Sequence, residues 1–435
     1  MHGPDVASKD NKGSTPLHRA VSIGSVDLAR LLVEHGAPVI AQDDDGSTPL
    51  HGAIRKGSVE LARLLIENGA DTTARDEEGL TPLHLSVWNG LMDLTRLLVE
   101  HGADTTAKDN LGWTPLHRAA DEGRVDLARL LIEHGADATS KNNEGSTPLD
   151  RAVATGNVDL ARLLVEHGAC VTAQDKFGLT PLHRAMWKGS VELARLLIEN
   201  GADTAVRNKR GSTPLHLSVK AGSVDLARLL CRYGADVTAR DGDGSTPLYH
   251  AVFQGRVDLA LLLIEHGADS TAQVKDGPTL LHRAVRNGSV DLSRLLIEHG
   301  ADATVQYEDG STLLHRVVRT GRVDLTRLLI EHGADATARD NDGSTPLHRV
   351  VQVGNVNLAR LLIEHGADST AQDEDGSTPF DLAVQKGSVD LTRFFIEHGG
   401  RRDVVEENKY DVSVRLSEGV DDGSATVPMA RSSEM

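Results

Sequence analysis

A chain of 435 residues with only 3% aromatics and 42 glycines is too poor in bulky side chains for several ordinary cores. Its 64 acidic against 46 basic residues, a net charge of −18, exclude a general nucleic-acid or anionic-membrane binder, which needs a basic face. No apolar run approaches the ~18 residues of a membrane span, and the opening Met1-His2-Gly3-Pro4-Asp5 carries neither region of a secretory signal. With two cysteines and no disulfide framework, the expectation is a soluble intracellular protein, cytoplasmic or also nuclear.

His2-Gly3-Pro4-Asp5-Val6-Ala7-Ser8-Lys9-Asp10 aligns with the internal stretch Tyr233-Gly234-Ala235-Asp236-Val237-Thr238-Ala239-Arg240-Asp241. Residues 1–8 therefore read as the remnant of a preceding repeat, and a longer product is expected. Thr15-Pro16-Leu17-His18 then opens a unit whose signature recurs in register at Thr48, Thr81, Thr114, Thr147, Thr180, Thr213, Thr246, Thr279, Thr312, Thr345 and Thr378. The interval is always 33 residues, which makes twelve units over 9–400 without insertion or deletion.

In the first unit Gly13 permits a tight turn, Thr15 is a good N-cap, and Pro16 suits the first helical position. Leu17, Ala20 and Val21 give a short helix its apolar face, which Gly24 ends. Ser25 caps a second helix with Asp27 near its positive end, and Leu28, Leu31 and Leu32 are expected as its buried stripe, with Arg30 and Glu34 in water. Gly36 stops it, and 37–46 should run out and back as an extended hairpin. Such a unit cannot bury its own apolar faces and must stack on its neighbours.

The 33-residue spacing and the T-P-L-H-x-A signature resemble the ankyrin repeat family over about nine-tenths of the chain. The resemblance implies an all-α repeat solenoid of helix-turn-helix units with projecting β-hairpin loops. It also implies a loop held by a Thr–His hydrogen bond, and protein binding through the hairpin tips and the concave face of the first helices.

Of 20 histidines, nine are the signature residue, from His18 to His348, and nine more, from His35 to His398, precede the helix-ending glycine. Stacked copies form ladders rather than a convergent ligand set, so they read as structural, with no metal and no cofactor. Cys170 and Cys231 lie about two repeats apart, roughly 20 Å at ordinary helix spacing, beyond disulfide reach. No serine or cysteine shows an activating base, no glycine loop is a phosphate-binding motif, and no catalytic site or enzyme activity is expected.

The twelve copies also compare with one another. The leucine aligned with Leu28 and the glycine aligned with Gly24 never change, whereas hairpin tips and first-helix ends vary. Trp88 and Trp187 end first helices, Trp113 lies on a hairpin, and Leu111, Phe177, Leu179 and Phe253 join this variable set. Aromatic anchors dominate interface energetics, so these residues form a candidate binding patch centred on repeats three to six. Along the hairpin edge Asp43, Asp44, Asp45, Asp76, Glu77 and Glu78 precede, and Asp340, Asp342, Asp373, Glu374 and Asp375 follow, a basic centre of Lys176, Lys188, Lys209, Arg210 and Lys220. Such an edge would orient a partner.

The last repeat departs at Phe380, Asp381, Phe394 and Phe395, and 401–435, rich in Ser, Asp, Glu and Gly, reads as an acidic, mostly disordered tail. The expected function is a monomeric, non-enzymatic scaffold or adaptor for one or more protein partners, without nucleic-acid binding or membrane insertion. The alternative is a truncated regulatory or targeting arm of a larger enzyme, channel or receptor.

Overall fold

The computed structural model describes residues 5–272 and 279–398; the start of the expected repeat remnant and the whole 401–435 tail lie outside the described residues. Among the described residues twenty-four helices occur in pairs, from α1 (Pro16–Ile23) and α2 (Val26–Glu34) to α23 (Pro379–Gln385) and α24 (Val389–His398). They belong to two compact units, one ending at Leu280 and one beginning at Leu281. Within each, first helices pack on neighbouring first helices and second on second, an all-α, solenoid-like stack.

The second repeat shows why these residues fold this way. Thr48 is extended (φ −95°, ψ 166°), Pro49 takes the first helical position, and the Thr48 hydroxyl accepts from the His51 amide. This makes α3 (Pro49–Arg55). Ser58 caps α4 (Val59–Glu67) by accepting from the Leu61 amide at 3.2 Å, with Glu60 in the first turn. Leu50, Ala53 and Ile54 from one helix and Leu61, Leu64 and Leu65 from the other are buried. Each such leucine contributes about 2 kcal/mol.

The expected stripe of the first repeat is not buried. Leu28 is 39% and Leu31 51% exposed, although the aligned Leu61 and Leu64 are buried. The reason is that α2 packs on α4 and so covers the face of α4 that in α2 has no described helix against it. Because repeat stability is a sum of local and neighbour terms, hydrogen exchange should be faster over Leu17–Leu32 than over Leu182–Leu197. Equal protection would mean that another surface shields Leu28 and Leu31.

The connecting segments are turns, not strand ladders; among the described residues one isolated antiparallel bridge occurs, Gln306 to Thr312. Each described tip closes on itself, as in Gly46 N–H to Asp43 O and Asp43 N–H to Ser47 O, both 3.0 Å. It then meets the neighbouring tip through a single backbone–backbone bond, as in Asp44 N–H to Lys12 O (3.1 Å) or Lys209 N–H to Phe177 O (3.0 Å). One bond per repeat cannot build a strand pair. It does bring backbones close: at Gly13, φ 69°, a Cβ would lie 2.7 Å from the Asp44 amide nitrogen, so both conformation and space demand glycine.

Candidate protein-binding face

The signature histidines are the joints that hold this face. His51 Nδ1 accepts from the Thr48 amide at 3.1 Å, which fixes the proton on Nε2. Nε2 then donates to the Leu80 carbonyl of the next repeat at 3.1 Å. The same joint recurs from His84 to Trp113, His117 to Ser146 and His216 to Ser245. The second set acts locally, with His101 Nδ1 donating to the Leu97 carbonyl at 2.8 Å to close a helix end. Among the described residues no three His, Cys, Asp or Glu side chains converge as metal ligands.

Repeat five builds its joint differently. Asp150 stands for the histidine and accepts from the Thr147 amide and hydroxyl at 2.9 and 3.0 Å. A carboxylate has no donor for a carbonyl in repeat six; it accepts instead from Arg184 Nε at 3.1 Å, and Arg184 also pairs with Asp175 at 2.6 Å. Burial pushes the Asp150 carboxyl above its ordinary value, against the pull of Thr147 and Arg184.

Around these joints Trp88, Leu111, Phe177, Trp187 and Phe253 are each about half exposed, Leu111 reaching 61%. Leu179 is a correction: it is buried. It precedes the N-cap Thr180, and two bonds to Asp175, carbonyl to amide at 3.0 Å and amide to carboxylate at 2.9 Å, hold that residue in the turn with its side chain inward. Trp113 has the same repeat position but is too large to be enclosed, and is half-buried. Arg118 lies 4.6 Å and Arg151 5.0 Å from its ring centroid, and Arg118 also lies 5.1 Å from that of Trp88. Asp109 holds Arg118 at 2.9 Å, and Asp121 holds Arg151. A row Trp88–Arg118–Trp113–Arg151–Asp121 thus crosses three repeats, with the exposed Trp187 and Phe177 beyond it. The arginines of this row escaped sequence reasoning because they read as consensus residues of L-H-R-A.

The charged edge also needs correction. Asp76 and Asp340 are buried turn residues that accept from the amides of Leu80 and Ser344 and pair with Arg55 and Arg349. Asp43 and Asp373 accept from Ser47 and Ser377 in the same way. Lys176 is paired with Glu144 at 2.8 Å and Lys220 with Asp241 at 3.2 Å. Lys188, Lys209 and Arg210 are exposed, and among the described residues none of the three makes an ion pair.

Both cysteines are free, Cys170 exposed and Cys231 buried. Hydrogen bonding with the Thr172 hydroxyl lowers the Cys170 thiol from its ordinary value, whereas burial raises that of Cys231. Iodoacetamide should therefore alkylate Cys170 rapidly in the folded protein and Cys231 only on unfolding. Equal labelling by mass spectrometry would contradict this packing.

Ankyrin repeats, in a family model of three copies, match successively over residues 1–76, 72–142, 134–208, 202–274, 270–340 and 332–408. No curated protein matches the chain. Among the described residues no helix is long and apolar enough to cross a membrane.

Proposed function

The chain belongs to the ankyrin repeat family, and on that premise we propose that it is a non-enzymatic scaffold or adaptor whose partner docks on repeats three to six. Ankyrin repeats generally mediate protein–protein interaction. The observation that carries the location is the exposure of Trp187, Phe177 and Leu111 at positions where the copies differ. A repeated structure needs no large apolar group there, and exposed aromatics in a well-ordered setting suit interface anchors. Lys188, Lys209 and Arg210 lie at the margin of this patch in sequence and would steer an acidic partner more than tighten it. The two free thiols accord with a reducing compartment, cytoplasm or nucleus.

The test is affinity capture from cells that make the protein, run in parallel with wild type and a Trp88→Ala/Trp187→Ala variant. The partner is a protein recovered by the first and lost by the second while both melt alike. Identical recoveries would move the interface elsewhere, and turnover of a substrate by the purified chain would end the non-enzymatic reading.

A further inference from the structure

In four repeats the hairpin turn begins with an aspartate that neutralises an arginine nine residues on: Asp10 with Arg19 at 2.6 Å, Asp109 with Arg118 at 2.9 Å, Asp175 with Arg184 at 2.6 Å, Asp340 with Arg349 at 2.5 Å. Repeat ten keeps the arginine without the aspartate. Its turn begins with Tyr307, whose ring packs edge-on against His282 with centroids 4.2 Å apart. Arg316, nine residues on, stacks on that ring at 4.7 Å and turns to the exposed Asp309 at 2.5 Å. Burial raises the Tyr307 hydroxyl from its ordinary value, leaving a neutral group where those four repeats hold a carboxylate.

Two more cations meet there. Arg286 and Arg319 occupy in repeats nine and ten the first-helix position that Trp88 and Trp187 occupy elsewhere. Both are exposed, and among the described residues neither has an ion pair. With Val285, Tyr307, Arg316 and Thr320 they line a cleft of about 480 Å³ within the second compact unit. Three guanidinium groups around one cleft stand out in a protein of net charge −18.

We propose that this cleft binds a phosphate monoester. Charge counting selects the class: Asp309 answers Arg316, so Arg286 and Arg319 leave two positive charges to be met. A monoester carries ≈ −1.5 to −2 at neutral pH, whereas one carboxylate would leave a cation unmatched. Guanidinium forks match phosphate oxygens in paired hydrogen bonds, and the space exceeds a phosphate group, leaving room for the side chain or small molecule that carries it. This site is separate in sequence and in compact unit from the patch on repeats three to six, so either can fail alone.

The experiment is calorimetric titration of the full chain with four probes. These are phenyl phosphate, a neutral nonapeptide bearing one phosphotyrosine, its unphosphorylated form, and a version with glutamate in place of phosphotyrosine. One saturable phosphate-dependent site is expected. Arg286→Ala/Arg319→Ala should weaken it roughly tenfold or more, the scale of one lost charge-assisted hydrogen bond or more. Tyr307→Asp, which installs the residue that eight of the twelve repeats carry there and should fold as they do, should abolish it by supplying a competing carboxylate. Tighter binding of the phosphopeptide than of phenyl phosphate assigns the monoester to a protein; equal binding assigns it to a free ester. Absence of a saturable site, equal affinity for the glutamate peptide, or unchanged binding by both variants at unchanged melting temperature would overturn the proposal.

Discussion

Acidification from about pH 7.5 to about pH 5 should remove several kcal/mol of folding stability, before most carboxylates titrate. Desolvation lowers His117 and His216 to about 4, and lowers His51, His84, His183, His282, His315 and His348 in the same direction. In the unfolded chain each returns to its usual value near 6.5. Between about 6.5 and about 4 the unfolded state binds protons that the folded state refuses, so stability is whole above that window and falls as pH drops through it. A group shifted to about 4 withdraws about 2 kcal/mol by about pH 5, at about 1.4 kcal/mol per pH unit. Lowered aspartates such as Asp137 and Asp302 act only nearer their own lower range.

The chemical reason is the joint itself. Nδ1 of His117 already accepts from the Thr114 amide, so a second ring proton would face that donor and force the Thr114 hydroxyl, 2.9 Å away, to reverse its role. Urea unfolding at the two pH values measures the loss, and His117→Ala should reduce its slope by about one proton. The same substitution strands the Thr114 amide, which costs about 1–3 kcal/mol when buried without a partner, whereas the Ser146 carbonyl keeps the Asn142 amide at 3.0 Å. A flat stability profile above about pH 5 would show that these rings are hydrated rather than sealed.

The repeat architecture was legible in sequence because its determinants are local. Thr48, Pro49 and His51 lie within one turn, so the cap and the aligned loop repeat together every 33 residues. What misled were properties supplied by another repeat or by the backbone. Leu28 and Leu31 have the pattern of buried residues, but only a neighbouring second helix would bury them. Asp76 has the sequence appearance of a surface charge, yet its carboxylate is consumed by the Leu80 amide four residues on. Leu179 varies among the copies and still faces inward. Variation marks freedom from the repeat consensus, which is not the same as exposure. The cleft at Tyr307 was present in the same internal comparison, as the one aromatic in a column of mostly aspartate, but its meaning depended on seeing Arg316 turn away.

Trp187 and Trp113 should separate binding from folding. Trp187→Ala should weaken the partner complex about thirtyfold, the ~2 kcal/mol expected of an aromatic anchor, with unfolding unchanged, because the residue is 56% exposed. Trp113→Ala should instead destabilise repeats four and five by about 2–3 kcal/mol. Of this, the stacks on Arg118 and Arg151 would account for ~0.5–1 kcal/mol each, and lost burial for the rest. Trp88 stands between the two cases, half exposed but stacked on Arg118. A double-mutant cycle of Trp88→Ala with Arg118→Ala, read in both unfolding and partner binding, apportions it. Coupling in unfolding alone would make Trp88 part of the folded row and leave Trp187 and Phe177 as the anchors. Coupling in binding alone would mean that the partner grips a preorganised Trp–Arg surface. If Trp187→Ala lowered stability and left affinity untouched, the patch on repeats three to six would be inter-repeat packing, and the docking site would have to be sought elsewhere on the array.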